Sequence, residues 1–285
     1  MFGPSECMFG DSISHHRSVD FRRFLFDLEV AFKRVFGVPD DWAVLFLPGG
    51  GTLANEAVAA SFDCVVEGPN TPFVDRLRRL NKYNRRGYPA KVRCCVAYDT
   101  ALSLPIDVSP SDDLLTFVDC VSGFPFYQWP RSADAWSTVS GKQLNSTPGL
   151  GILAMSPRFQ TLARQDSSHS MLSVADYLMF RDRGETPHTP AISLLDDLYS
   201  ILGKFDIIEH CSMIAARREL LETIVPESAT VGSGPVFTIK AGLLHDEFVD
   251  KWGLYPGSVG PQMFLHANGD WDGIIKELGD IEWHC

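Results

Sequence analysis

At 285 residues the chain has room for one large domain and a smaller companion, and its formal net charge of −11 argues against a broad nucleic-acid footprint, which needs clustered Lys and Arg. Hydrophobic residues at 45% and charged residues at 21% give the balance of a folded protein rather than a disordered one. The longest apolar stretches, Trp42 to Pro48 and Leu150 to Met155, fall far short of the roughly 20 residues a bilayer crossing takes, so no membrane span is expected.

In chain order, the opening residues lack the basic segment and apolar core of a secretory leader, and a cytoplasmic protein is expected. Phe24, Leu25, Leu28, Ala31, Phe32 and Val35 recur at helical spacing and predict an amphipathic helix over Phe21 to Phe36, stopped by Gly37 and Pro39. Ala43 to Leu47 reads as a buried strand, Gly49-Gly50-Gly51 as a tight turn, and Thr52 to Phe62 as a helix packed on a sheet. Arg76, Arg78, Arg79, Lys82, Arg85, Arg86, Lys91 and Arg93 crowd one region, read as a solvated helix face with an anion site as the alternative. Lys91 to Ala97 and Leu114 to Val118 look like further parallel strands, with Trp136 to Val139 and Leu150 to Met155 as shorter ones.

From Ala163 to Pro190 the pattern is polar and turn-rich, and Ala191 to Ile201 reads as a helix. Ile207 to Ile224 (helix), Val236 to Ile239 (strand) and Trp271 to Leu278 (helix) then suggest a smaller unit. The expected architecture is α/β, with a mainly parallel sheet in a large domain (1–202) and a small α+β C-terminal domain (203–285). The seven cysteines form no CxxC pair and sit at no metal-ligand spacing with histidine, so free, mostly buried thiols and no metal site are expected.

Three features carry chemistry. At Gly50, Gly51 and Thr52 the backbone amides can approach an anion at a helix start; the same residues satisfy a dinucleotide-binding pattern, with Glu67 following, or serve as a plain turn. Asp119 stands at the carboxyl end of a predicted buried strand, where open α/β sheets place ligands; it either faces a cationic ring nitrogen or caps a turn. Lys142 lies in a short turn between strands, and a desolvated lysine there can form an imine with an aldehyde, although a loop lysine is more often a surface residue.

In their order these segments resemble the class V aminotransferases, fold-type I enzymes that use pyridoxal 5'-phosphate (PLP), and within them phosphoserine aminotransferase. The resemblance covers most of the chain: Ser14-His15-His16-Arg17-Ser18 with Phe21, Val44-Leu45-Phe46 leading to Gly49-Gly50-Gly51, Phe73, Asp99-Thr100, Val118-Asp119-Cys120-Val121-Ser122, Ser140-Gly141-Lys142 and His188-Thr189-Pro190. It implies Lys142 as Schiff-base donor and proton shuttle, and Asp119 as partner of the pyridine nitrogen. Gly50, Gly51, Thr52, Phe73, Thr100, Ser122 and Ser140 are implied as cofactor contacts, with His188 and Thr189 reaching the phosphate from the second subunit of a homodimer. His16 and Arg17 are implied at the substrate.

The chain also departs from the family pattern. Gly141 and His188 replace a glutamine and an asparagine of the phosphate site, Gln262 falls where a substrate-carboxylate arginine belongs, and Tyr255 and Pro256 replace a His-Arg pair. The resemblance therefore implies an aminotransferase-like enzyme with a non-standard amine or amino-acid-like substrate. The alternatives are a decarboxylase or lyase acting on an amino-acid group carried by a larger molecule, such as a modified nucleotide or phage DNA, and a non-catalytic interaction module.

Overall fold

The computed structural model describes residues 15–84, 89–166 and 170–283. Ser14, Arg85 and Arg86, singled out above, and two of the seven cysteines, Cys7 and Cys285, lie outside the described residues. Helix α1 (Val19–Phe36) starts where the Ser18 hydroxyl accepts from the Phe21 amide and stops at Gly37, whose φ of 61° suits glycine. There follow β1 (Ala43–Pro48), α2 (Gly50–Ser61), β2 (Cys64–Val66), α3 (Pro72–Asn84), β3 (Val92–Val96) and a small hairpin of β4 (Tyr98–Asp99) and β5 (Leu104–Pro105). Strands β6 (Leu115–Asp119), β7 (Ala135–Val139) and β8 (Leu150–Met155) complete the first sheet. Next come α4 (Pro157–Ala163), α5 (Val174–Arg181), α6 (Ile192–Leu202) and α7 (Ile207–Ile224). The chain ends with β9 (Thr230–Val231), β10 (Val236–Ile239), α8 (Asp246–Trp252), β11 (Tyr255–Pro256), β12 (Pro261–Phe264) and α9 (Trp271–Gly279).

The first sheet has the order β1-β8-β7-β6-β3-β2. Strands β2, β3, β6 and β7 pair in parallel, while β8 runs antiparallel to both of its neighbours. Successive side chains on a strand point to opposite faces, so each buried strand feeds two cores. Val44, Phe46, Val118, Trp136 and Ile152 enter one core with α1 and α6. Their neighbours Leu45, Leu47, Phe117, Ala135 and Leu153 enter another with α2 and α5. Helices thus cover both faces, which is why these strands read as nearly continuous apolar runs. A four-stranded antiparallel sheet, β11-β12-β10-β9, has its own core against α7 and α9, built on Ile214, Leu221, Phe237 and Leu278.

Several expectations are corrected. Leu150–Met155 is as long as β1 and reversed, because buried apolar residues carry no sign of strand direction. The polar region from 163 to 190 contains α5, started by the Ser173 hydroxyl on the Asp176 amide. Gly50 and Gly51 form the first turn of α2 rather than a separate turn before it. Cys64, Cys94, Cys95 and Cys120 are free and buried, and Cys211 is free and half-buried. Among the described residues no helix is long and apolar enough to cross a membrane.

Candidate active site

Asp119, the last residue of β6, is carried by parallel pairing with β3 and β7 to the carboxyl edge of the sheet. It is buried, and its oxygens accept from the Val121 amide (2.9 Å) and from Asn55 Nδ2 (2.6 Å). Asn55 in turn accepts from Ser137 Oγ on β7 at 2.7 Å. Burial pushes the Asp119 pKa above the ordinary carboxyl value; the Val121 and Asn55 hydrogen bonds and the charge of Lys142 oppose the shift. Asn55 and Ser137 are the site residues that sequence reasoning misses. The available signal was an asparagine on the otherwise small, apolar buried face of α2, with Ala54, Ala57 and Val58.

Lys142 lies in the loop between β7 and β8, and its Nζ donates to Ser122 Oγ at 2.7 Å. Burial lowers its pKa, against the opposing pull of the Asp119 carboxylate. The loop is held by neighbours: Gln143 donates to the Ser122 carbonyl (2.7 Å), and Ser140 donates to the Thr147 carbonyl (2.7 Å) while accepting from the Leu150 amide (3.2 Å). The Ser140 hydroxyl is thus occupied in shaping the turn. At Gly141 a Cβ would sit 2.6 Å from Pro148 Cα, so the loop has no room for the glutamine of the family pattern.

Between Asp119 and the start of α2 lies a small cavity lined by Gly51, Thr52, Asn55, Phe73, Asp119 and Ser122, with Arg76 and Tyr98 also at its wall. Gly49 caps α2 at φ 141° with no side-chain hydrogen bond to the first amides, and the first turn holds no acid. Those amides and the positive helix end suit a phosphate. Gly51 is required by packing, since a Cβ there would approach Val121 Cγ2 to 2.5 Å. Thr100 is buried beside β4 with no partner for its Oγ1, and Asp99 Oδ2 is likewise unpartnered. His266 is near enough to respond to Lys142; burial first, then His210, Lys142 and Arg217, push its pKa down to about 3.

Other expected residues lie elsewhere in the single chain. His188 and Thr189 line a separate recess with Phe46, Pro48 and Tyr177, where His188 Nε2 and Tyr177 Oη are buried without partners. His16 and Arg17 sit at the start of α1, with Arg17 Nε 3.4 Å from His16 Nε2 and Glu185 acting on His16 from across the chain. Neither pair lines the Asp119 cavity. Of the basic cluster, Arg78 pairs with Asp75 (2.7 Å) and Arg93 with Glu67 (3.1 Å), while Arg76 faces the cavity. Gln262 is buried and donates to the Thr100 carbonyl at 2.6 Å, and Tyr255 is exposed on β11.

Solved structures of aminotransferases share this fold. An aspartate aminotransferase of subgroup IV from Thermus thermophilus superposes with a TM-score of 0.76 at 20% identity, covering 93% of this chain and 91% of that one. A phosphoserine aminotransferase from Cytophaga hutchinsonii gives 0.75 at 17% identity, covering 94% and 90%. An alanine–glyoxylate aminotransferase from Nostoc sp. gives 0.77 at 16% identity, covering 93% and 88%. No protein-family model matches the chain, and no curated protein does. The chain therefore has the fold-type I aminotransferase architecture.

Proposed function

We propose that the protein is a PLP-dependent, aminotransferase-like enzyme acting on an amine or amino-acid-like substrate, with Lys142 as the residue that bonds the cofactor. The carrying observation is that a desolvated lysine amine, held by Ser122, lies within electrostatic reach of a buried, hydrogen-bonded carboxylate at an uncapped helix start.

The residues present fit the cofactor. The amides of Gly50, Gly51 and Thr52 would hold its phosphate, Asp119 its ring nitrogen, Phe73 its ring face, and the unpartnered Thr100 hydroxyl its ring oxygen. When bound, PLP supplies an electron-withdrawing ring that stabilises negative charge on the substrate carbon. Asn55 and the Val121 amide keep Asp119 oriented, and Ser122 and Gln143 keep Lys142 aimed. Lowered basicity leaves more of the Lys142 amine neutral, ready to form the bond to the cofactor and then to take and return the substrate's α-proton. Ser140 contributes by holding the loop.

His188 and Thr189 would serve a second subunit, a reading supported by their place in a recess apart from Lys142. His16 and Arg17 keep a substrate role only in such an assembly. The neutral Gln262 favours a second outcome at the same site, decarboxylation or another lyase step on an amino-acid group carried by a larger molecule. The chain divides near residue 203 in this account, the second sheet forming the smaller part.

The test is reconstitution of purified protein with PLP, followed by absorbance. Wild type should develop the visible band of a lysine-bound cofactor and Lys142→Ala should not; an identical band in the variant would refute the assignment.

A further inference from the structure

The basic cluster on α3 contains one cation that the cofactor assignment leaves unused. Helix α3 turns Phe73, Arg76, Leu77 and Leu80 toward the Asp119 cavity, and their spacing is that of a single helical face. The helix is firmly seated: Val74 and Leu77 are buried in the core that it shares with α2, and the Thr71 hydroxyl accepts from the Val74 amide at 3.4 Å. Arg76 therefore springs from a fixed backbone at the cavity wall, and it is exposed, so an incoming solute can reach it.

Arg76 is also uncommitted, with no hydrogen bond or ion pair among the described residues. Other arginines are occupied. Arg78 is held by Asp75, Asn70 and the Gly68 carbonyl, and Arg93 by Glu67 and Thr116. Arg217 donates to the carbonyls of Leu265 and Ala267, and Arg218 to those of Gly234 and Val236. Gln262, where the family pattern has its arginine, is buried and turned to the Thr100 carbonyl at 2.6 Å; a Cβ at Gly257 would come within 2.5 Å of its Cδ. Among the described residues lining the cavity, Asp119 and Arg76 alone carry charge, and Asp119 answers the ring nitrogen. Arg76 is thus the cation left for an anion entering the site.

We propose that Arg76 binds the anionic oxygen group of the substrate, the carboxylate of an amino-acid-like molecule, at the cavity wall. The inference rests on the assignment of Lys142 as the cofactor lysine. The amides of Gly50, Gly51 and Thr52 are already placed for the cofactor's phosphate. Arg76 stands one helical turn beyond Phe73, about 4.5 Å along the axis, and so beside the ring face that Phe73 would cover. Its planar fork of N–H donors matches the two oxygens of a carboxylate. The carboxylate contact then comes from the helix that covers the cofactor, and not from the second sheet, where Gln262 stands.

The test titrates PLP-loaded protein with alanine and with ethylamine, which lacks the carboxylate, following the change in the cofactor band. Arg76→Gln, an exposed change to another good helix former, should raise the alanine concentration at half-saturation about tenfold or more and leave that of ethylamine unchanged. Arg76→Lys keeps the charge without the fork and should recover part of the loss. A second arm compares release of PLP and of pyridoxal, which lacks the phosphate, on dialysis; Arg76→Gln should release both at the wild-type rates. Given a normal cofactor band, three results would overturn this inference alone: alanine leaving the wild-type band unchanged, alanine binding equally well to Arg76→Gln, or both amines weakened alike. Faster release of PLP but not of pyridoxal from the variant would also overturn it, by placing the guanidinium on the cofactor's phosphate. Failure of wild type to form any band would overturn the cofactor assignment, and this inference with it.

Discussion

Replacing Asp119 by Asn keeps the shape of the side chain and removes its charge. The carboxylate accepts from the Val121 amide and from Asn55 Nδ2, and Asn55 Oδ1 is already taken by Ser137. Asn55 can turn over, because the Ser137 hydroxyl accepts as well as donates, so the new amide keeps a neutral hydrogen bond in place of the charge-assisted one. Loss of one charge-assisted bond costs about 1.5–3 kcal/mol, offset in part because burial already penalises the charged form, as its raised pKa shows. The net change in stability of the cofactor-free protein should then be small, about 1–2 kcal/mol at neutral pH. A folded pKa above the unfolded one means that Asp119 adds stability in acid that is lost as pH rises through the folded value, and the variant should lack that slope. The effect on rate should be far larger. Without an anion opposite the ring nitrogen, turnover should fall roughly a thousandfold or more, equivalent to about 4 kcal/mol of barrier. Urea unfolding of both apoproteins, paired with washout of α-deuterium from an amine that wild type converts, measures the two effects separately. A variant that exchanges deuterium near the wild-type rate would refute the role of Asp119.

Because burial lowers the Lys142 pKa, cofactor loading should reach half its maximum at a pH below that of an ordinary lysine, and lower still in Asp119→Asn, where the opposing charge is gone; a midpoint unmoved between the two proteins, measured by absorbance across pH, would contradict this. Gly141→Gln restores the family pattern in sequence yet collides with Pro148, so it should weaken cofactor retention on dialysis, and tighter retention would show that the loop accommodates the side chain. A homodimer is expected, with His188→Ala subunits releasing cofactor faster than wild type; light scattering that finds a fully active monomer would contradict it.

The residues legible in the sequence were those whose neighbours in the chain announce them. Asp119 ends an apolar run and Lys142 sits between two strands, so local pattern places both in the chain, while their roles came from the resemblance; Gly51 read as part of a turn and proved to belong to the first turn of α2. Asn55 was not legible as a partner of Asp119, because the contact spans 64 positions and depends on α2 lying across the edge of β6 and β7. The reversal of β8 was hidden for a related reason: a strand buried on both faces looks alike in either direction. Gln262 was legible as a departure from a pattern, whereas its fixed orientation appears only with Thr100 and Gly257 around it. His188 and Thr189 were placed by resemblance alone, and one chain does not bring them to Lys142.

The most direct measurement is borohydride reduction of the PLP-loaded protein followed by peptide mapping. The account predicts a single pyridoxyl group on Lys142, the half-buried amine that donates to Ser122. A pyridoxyl group on any other lysine, or no incorporation at all, would contradict it.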